Sequence, residues 1–263
     1  MMTAAESSSL AWTAAKFALP GHQVWERPFA RWGLSYRPAG VKAVVGCHFD
    51  PDSVAEQVDE ILRCFQDADE PANWTLGPSS TPIDLSKHLR RERRLMGPMF
   101  LIGMELDLVR WEPEKVSLTT ELLRDLESIS PDEHPTMTWF PKAQRADGLL
   151  MLRELVSRGA AFPFGSTIDG ELASAMTLFV HEEIAGVYDV VTRPEFRNRG
   201  AATAVLTMAL AFARERGCRV AALQSHKKAV GLYERMGFVE TGIFKSMYYS
   251  KPRLAKDREA RLL

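Results

Sequence analysis

Hydrophobic and polar positions alternate along this chain in two periods, and the switches between them mark out elements. Residues 41–47 are a short run rich in β-branched side chains, bounded by Gly40 and by Asp50-Pro51, which predicts a strand. Residues 53–65 then place Val54, Val58, Ile61, Leu62 and Phe65 on one helical face, with Asp52 or Ser53 as the cap. Residues 73–81 read as a strand running into a Gly-Pro-Ser-Ser turn, after which Pro82 opens a helix capped by Thr81 and reaching residue 94. Leu85, His88 and Leu89 form its inner face, and Lys87, Arg90, Arg91, Arg93 and Arg94 point outward. With a further strand at residues 100–109, the first half predicts an α/β lobe.

The stretch from residue 112 to 141 is acidic and punctuated by proline. It predicts one helix near residues 119–127 and a linker, which places a domain boundary at residue 113. Residues 148–158 form an amphipathic helix through Leu149, Leu152, Leu155 and Val156, stopped by Gly159. Strands follow at residues 160–168, 172–181 and 184–192, the first two joined by an Asp169-Gly170 hairpin turn. Residues 203–216 predict a strong helix, with Val205, Leu206, Ala209, Phe212 and Ala213 at helical spacing and Gly217 as its left-handed cap. A strand at residues 219–224 comes next. Residues 1–20, with Ser7-Ser8-Ser9 and no clear period, read as a disordered tail, and residues 253–263 as a C-terminal tail. The expected division is therefore a first lobe at residues 21–112 and a second domain at 113–252.

Composition narrows the function classes. Of 263 residues, 46 % are hydrophobic and 25 % charged, an ordinary globular balance. Lysine plus arginine total 33 against 34 acidic residues, and a net charge of −1 gives no global reason to expect a nucleic-acid or membrane partner. The run from His88 to Arg94 reads as the solvated face of a helix, since no aromatics interleave with it. Cys47, Cys64 and Cys218 lack CxxC spacing, and the histidines form no HxH or HxxxH pair, so neither a disulfide framework nor a metal site is expected. Without a leader-like start or a long apolar run, the expected location is the cytoplasm. Trp12, Trp25, Phe29, Trp32 and Tyr36 either line a partner surface or pack a small lobe.

Chemistry concentrates between residues 184 and 238. A strand ending Val190-Val191-Thr192 leads through Arg193-Pro194-Glu195-Phe196 into the turn Arg197-Asn198-Arg199-Gly200-Ala201-Ala202, and a helix follows at once. The first N–H groups of a helix have no internal partner, and the helix dipole adds positive potential there. Gly200, Ala201 and Ala202 lack bulk, so a pyrophosphate can approach the backbone, and Arg197 and Arg199 add charge. The spacing is neither that of the P-loop nor that of the dinucleotide-binding GxGxxG. The plain alternative is a basic surface turn that caps a helix.

R-N-R-G-A-A, residues 197–202, resembles the Q/R-x-x-G-x-G/A signature of the GNAT superfamily of N-acetyltransferases. Downstream, A-V-G-L-Y-E-R-M-G-F, residues 229–238, resembles that superfamily's A-x-x-L-Y-E-x-x-G-F segment, with one helix and one strand between the two. The resemblance covers about residues 145–250, and N-W-T-L-G-P-S-S-T-P-x-D-L with G-M-E-L-D-L in the first half is similar to a degenerate upstream half-copy. It implies a mixed, splayed β-sheet flanked by helices, one competent acetyl-CoA site and no metal. Main-chain groups at Val190, Val191 and Thr192 would hold the pantetheine arm and polarise the thioester carbonyl, and the amides of residues 197–202 would hold the pyrophosphate. Tyr233, at the superfamily's tyrosine position, would protonate the departing thiolate. His226 stands where many members carry an asparagine that contacts cofactor or substrate. The strand glutamate that some members use as base falls near Gly186, which leaves Asp189 as the candidate base, on a face that strand alternation alone does not fix.

The implied function is transfer of acetyl from acetyl-CoA to a primary amine of a small molecule or a protein, by direct attack. The resemblance also admits a homodimer. A non-catalytic module that binds CoA as sensor or scaffold is the alternative reading, and the absent strand glutamate is the feature in its favour.

Overall fold

The computed structural model describes residues 2–93 and 95–250, with side chains left undescribed at residues 91–93. The expected tail at 253–263 and the outward side chains of Arg91, Arg93 and Arg94 lie outside what is described. In chain order the elements of the first half are α1 (Ala4–Phe17), β1 (His22–Arg27), β2 (Ala30–Ser35), β3 (Ala43–Val45), α2 (Val54–Asp67), β4 (Ala72–Leu76), α3 (Leu85–Arg93) and β5 (Met96–Asp107). The second half supplies β6 (Thr120–Leu122), α4 (Arg145–Ser157), β7 (Phe162–Ile168), β8 (Glu171–His181), β9 (Ile184–Thr192), α5 (Ala201–Glu215), β10 (Val220–Ser225), α6 (Val230–Arg235) and β11 (Val239–Tyr249).

All eleven strands join one sheet in the order β1-β2-β3-β4-β11-β5-β10-β9-β8-β7-β6. The central strands are exchanged between halves. β5 pairs antiparallel with β10, running from Asp107 opposite Val220 to Ile102 opposite Ser225. β11 pairs antiparallel with β4, with Lys245 opposite Leu76 and Tyr249 opposite Ala72. β5 and β11 also pair with each other. The pattern is symmetric about that seam: β3–β4 on one side and β9–β10 on the other are the parallel pairs, and the strand pairs beyond them are antiparallel. The fold is thus the mixed sheet with flanking helices that the motifs imply, and the first half repeats the strand plan of the second.

Two expectations are corrected. Residues 1–20 are not a disordered tail: Ala4–Phe17 is a helix, and the Thr3 hydroxyl caps it by accepting from the Glu6 N–H at 3.2 Å. Its buried face is small and polar as much as apolar (Ala5, Glu6, Ser8, Trp12, Thr13, Phe17), so hydrophobic periodicity gave no signal. Residues 119–127 are not a helix. Thr120–Leu122 pairs with β7 as an edge strand, and Leu123 and Leu126 turn into the cluster around α4. A free strand edge offered those residues backbone partners that a short isolated helix would have lacked.

The core has three main parts. One packs α5 and α6 on the sheet through Val205, Leu206, Leu210, Val187 and Met176. A second joins α1 and α4 to the opposite face through Trp12, Leu149, Leu152 and Phe179. The third fills the first half under α2 and α3. There the aromatics are packing: the rings of Trp25 and Phe29 stack on Trp32, and Phe29 meets Phe49, which stacks on Trp74. Tyr36 stays exposed.

Because β5 and β11 cross between halves, the two cores are expected to unfold together. Trp32→Ala, fully buried in the first half, is expected to destabilise by about 3–5 kcal/mol. Denaturant unfolding followed by fluorescence and by circular dichroism should show one transition at a lower midpoint. A separate, unshifted second transition would show that the halves unfold independently.

Candidate active site

The site is built where β9 and β10 part. Their parallel pairing holds for three positions, Ile184–Val220, Ala185–Ala221 and Gly186–Ala222, and then stops, so residues 187–192 have no strand on that side. Beyond this, β9 stays paired with β8, with a register shift at Ala175/Thr177, where Asp189 takes a left-handed φ of 53°. This is a β-bulge. It settles which way Asp189 faces. Val187 and Val190 both pack against the α5 cluster, whereas Tyr188 packs on the α1/α4 side, so Asp189 shares the Tyr188 face. Two consecutive side chains on one face is what a bulge permits and a regular strand does not.

Near the end of β9 the Ser174 hydroxyl donates to the Val191 carbonyl at 2.9 Å, so the Thr192 hydroxyl is the donor in its 3.0 Å contact with Ser174. The Arg193 N–H bonds Ala173 on the same side, so Thr192, between them, turns its main-chain groups away from β8 and towards the parting. Arg197 Nε reaches the Thr192 carbonyl at 3.4 Å. Of the three strand residues singled out above, Val191 therefore has its carbonyl engaged by β8, Thr192 faces the gap and Val190 flanks the bulge.

The turn after β9 carries two left-handed residues, Asn198 at φ 61° and Gly200 at φ 80°, and α5 starts at Ala201 with no side-chain cap. The N–H groups of its first turn are open to an anion. Residues 197–200 are exposed, and Ala201 is buried with its carbonyl held by the Ser166 hydroxyl at 3.0 Å. Arg199 is drawn aside by Asp169 at 3.0 Å. Opposite, His226 is exposed at the end of β10 beside Lys227 and Lys228. Tyr233 on α6 is buried against Phe238, and burial pushes its hydroxyl up to about 12. No hydrogen bond to that hydroxyl occurs among the described residues. Tyr233 thus keeps its proton throughout the neutral range.

Sequence reasoning missed the wall that α1 supplies. The Ser8 and Tyr188 hydroxyls meet at 2.7 Å, Trp12 stacks on Tyr188 with centroids 5.0 Å apart, and Lys16 Nζ lies 4.8 Å above the Trp12 ring. Ser8 also explains Gly186. A Cβ there would run into the Ser8 hydroxyl and the Tyr188 ring, so this strand position has no room for a side chain. Asp189 is open on its groove side, yet the surrounding walls displace much of its water. That desolvation raises its carboxyl above the ordinary range, and the Lys16 ammonium pulls it partly back. Among the described residues, no group of three or more His, Cys, Asp or Glu is placed to hold a metal ion.

A strand that parts from its neighbour, followed by a left-handed glycine and an uncapped helix, defines a domain of acyltransferase type. Residues 121–238 match the acetyltransferase (GNAT) family, and this domain belongs to it. An uncharacterized N-acetyltransferase of Methanocaldococcus jannaschii is 35 % identical over 66 residues, which span 24 % of this chain and 29 % of that relative's length. A GCN5-related N-acetyltransferase from Kribbella flavida shares the fold with a TM-score of 0.68 and 14 % identity, over 97 % of this chain and 99 % of its own. A tandem GNAT protein from the clavulanic acid biosynthesis pathway aligns at a TM-score of 0.59 and 15 % identity, over 93 % and 91 % of the two chains.

The turn is tested by two substitutions at Gly200. No atom lies within 4 Å of a Cβ there, so Gly200→Ala meets only the left-handed backbone cost of about 1 kcal/mol and should retain ligand affinity. Gly200→Glu adds a carboxylate at the start of α5, and acetyl-CoA binding is expected to weaken by roughly 100-fold, read by calorimetry. Equal affinity in both variants would move the pyrophosphate elsewhere.

Proposed function

We propose that this chain is an N-acetyltransferase that moves acetyl from acetyl-CoA to a primary amine by direct attack, without a covalent enzyme intermediate. The observation that carries the reading is the parting of β9 from β10 directly beside the uncapped, glycine-led start of α5. The catalytic unit is residues 113–252, and residues 21–112 are its degenerate companion. Cys47, Cys64 and Cys218 are free thiols, in keeping with a cytoplasmic setting, and none of the described helices is long and apolar enough to cross a membrane.

In this reading the amides of Arg197 to Ala202 hold the pyrophosphate, with Arg197 beside it and His226 across the mouth. Main-chain groups of Val190, Val191 and Thr192 orient the pantetheine arm and polarise the thioester carbonyl as negative charge builds on its oxygen. Asp189 takes a proton from the acceptor ammonium, because only the neutral amine attacks. Its raised pKa makes it a stronger base than a solvated carboxylate, matched more closely to the proton it must remove. Tyr233 hands its proton to the departing thiolate and recovers one from solvent.

Two measurements test the roles. Tyr233→Phe is expected to lower kcat by on the order of 100-fold with acetyl-CoA affinity unchanged. Equal turnover would remove Tyr233 from the chemistry. A base must be ionised to act, so kcat/KM should rise with pH through a carboxyl ionisation lying above the ordinary carboxylate value. Asp189→Asn should flatten that limb. A limb that persists in the variant would assign the base to another group.

A further inference from the structure

Resting on the acetyl-transfer reading, we propose that Lys16 is an internal acceptor, its ε-amine taking an acetyl group in cis at the site bounded by Asp189 and the parting of β9 and β10. The observation behind it is that an amine is held over the Trp12 ring, on the face of β9 that carries Tyr188, within electrostatic reach of Asp189. Lys16 sits in the last turn of α1, and its Nζ lies over the Trp12 ring. Trp12 stacks on Tyr188, the neighbour of Asp189 on the bulge, and Phe179 packs with its ring centroid 5.2 Å from that of Trp12. An aromatic floor with a carboxylate at its edge is how a site of this kind recognises an alkylammonium ion.

The Lys16 amine interacts electrostatically with Asp189 but closes no ion pair and makes no hydrogen bond among the described residues, so its contact with the Trp12 ring is the one that loosens as it reacts. Burial lowers the Lys16 ammonium below its usual range, which raises the share of neutral amine, and the Asp189 charge opposes this. The helix holding Lys16 is fixed to the same sheet at its other end, where the Ala5 N–H donates to Glu105 at 2.9 Å. The backbone that carries Lys16 is therefore held in place on the sheet that forms the site.

The step balances as follows. Asp189 accepts one proton from the Lys16 ammonium and the neutral nitrogen attacks the acetyl carbonyl carbon, forming the C–N bond. The C–S bond breaks, and Tyr233 supplies the proton that makes the leaving group a free thiol. The nitrogen sheds its second proton to become an amide, and the net products are Nε-acetyl-Lys16, CoA thiol and one proton released to water. Acetylation removes the Lys16 charge beside Asp189 and leaves a bulkier neutral group on the Trp12 ring.

The test uses the full chain incubated with acetyl-CoA, intact mass followed over time and the acetylated residue located by peptide mapping. One acetyl per chain is expected on Lys16, at a rate independent of protein concentration, as an intramolecular transfer requires. Asp189→Asn should slow it by on the order of 100-fold. Lys16→Arg should remove the increment while calorimetry still shows acetyl-CoA binding. The proposal is overturned if the wild-type chain binds acetyl-CoA and acetylates an added amine yet Lys16 stays unmodified. It is also overturned if the acetyl falls on the exposed Lys227 or Lys228, or if Lys16 is labelled equally fast in Gly200→Glu, which would mark uncatalysed chemistry. Absence of acetyl-CoA binding in the wild-type chain would remove the underlying reading and this proposal together.

Discussion

The antiparallel pairing of β5 with β11 is the constraint to which the remaining strands are referred. Each of these strands belongs to one half of the sequence and lies against the other half's parallel strand, β10 or β4. A parallel pair that opens into a gap gives up ladder hydrogen bonds along the opened length, and such a defect persists only if its flanks are held. Here β10 is held by β5 along its whole length while β9 is held by β8, so the two can diverge after Gly186 and Ala222 without the sheet coming apart. The opening between them is thus set by a strand from the other half.

Strand exchange also explains why the first half is retained although its own copy of the site is covered. β3 and β4 pair only at two positions, and α1 lies over the region beyond, where its Glu6, Ser9 and Leu10 line a small cavity with Val45, Gly46, Thr75 and Gly77. The Glu6 carboxylate accepts from the Ser79 hydroxyl at 2.7 Å, and Gly77 leaves it room that no side chain could share. One helix therefore covers the gap in the first half and walls the gap in the second. Removing the first half would take away both β5 and α1.

How much of this was legible in the sequence depends on how local each constraint is. The turn at residues 197–202 was legible because a left-handed glycine before an uncapped helix leaves a short, fixed signature, and the Asp169-Gly170 hairpin was legible for the same reason, both residues having positive φ. The strand exchange was not, because nothing in the text of β5 or β11 says which half it will pair with. α1 stayed hidden because its buried face uses Ser8 and Glu6, which hydrogen-bond to Tyr188 and Ser79, where periodicity looks for leucine. The side chosen by Asp189 depended on a one-residue bulge, and strand alternation read from sequence would have placed Tyr188 and Asp189 on opposite faces.

The two helix starts that follow the parallel strands show why symmetry of strands does not become symmetry of function. α5 is approached through Arg193, Arg197 and Arg199 and begins behind a glycine. α2 is approached through Asp50 and Asp52, carries Glu56 in its first turn, and has its lead-in folded on itself by the Asp52 N–H bond to the Asp50 carboxylate at 3.0 Å. Both helices carry the same dipole at their starts, which favours negative charge there. Side-chain charge decides between them. At α2 the carboxylates of Asp50, Asp52 and Glu56 lie at the helix start and would repel an anion, whereas α5 carries no acidic residue in its first turn and has Arg197 just ahead of it. The fold thus supplies two helix starts at matching places in the sheet, and the charges around them set the two apart.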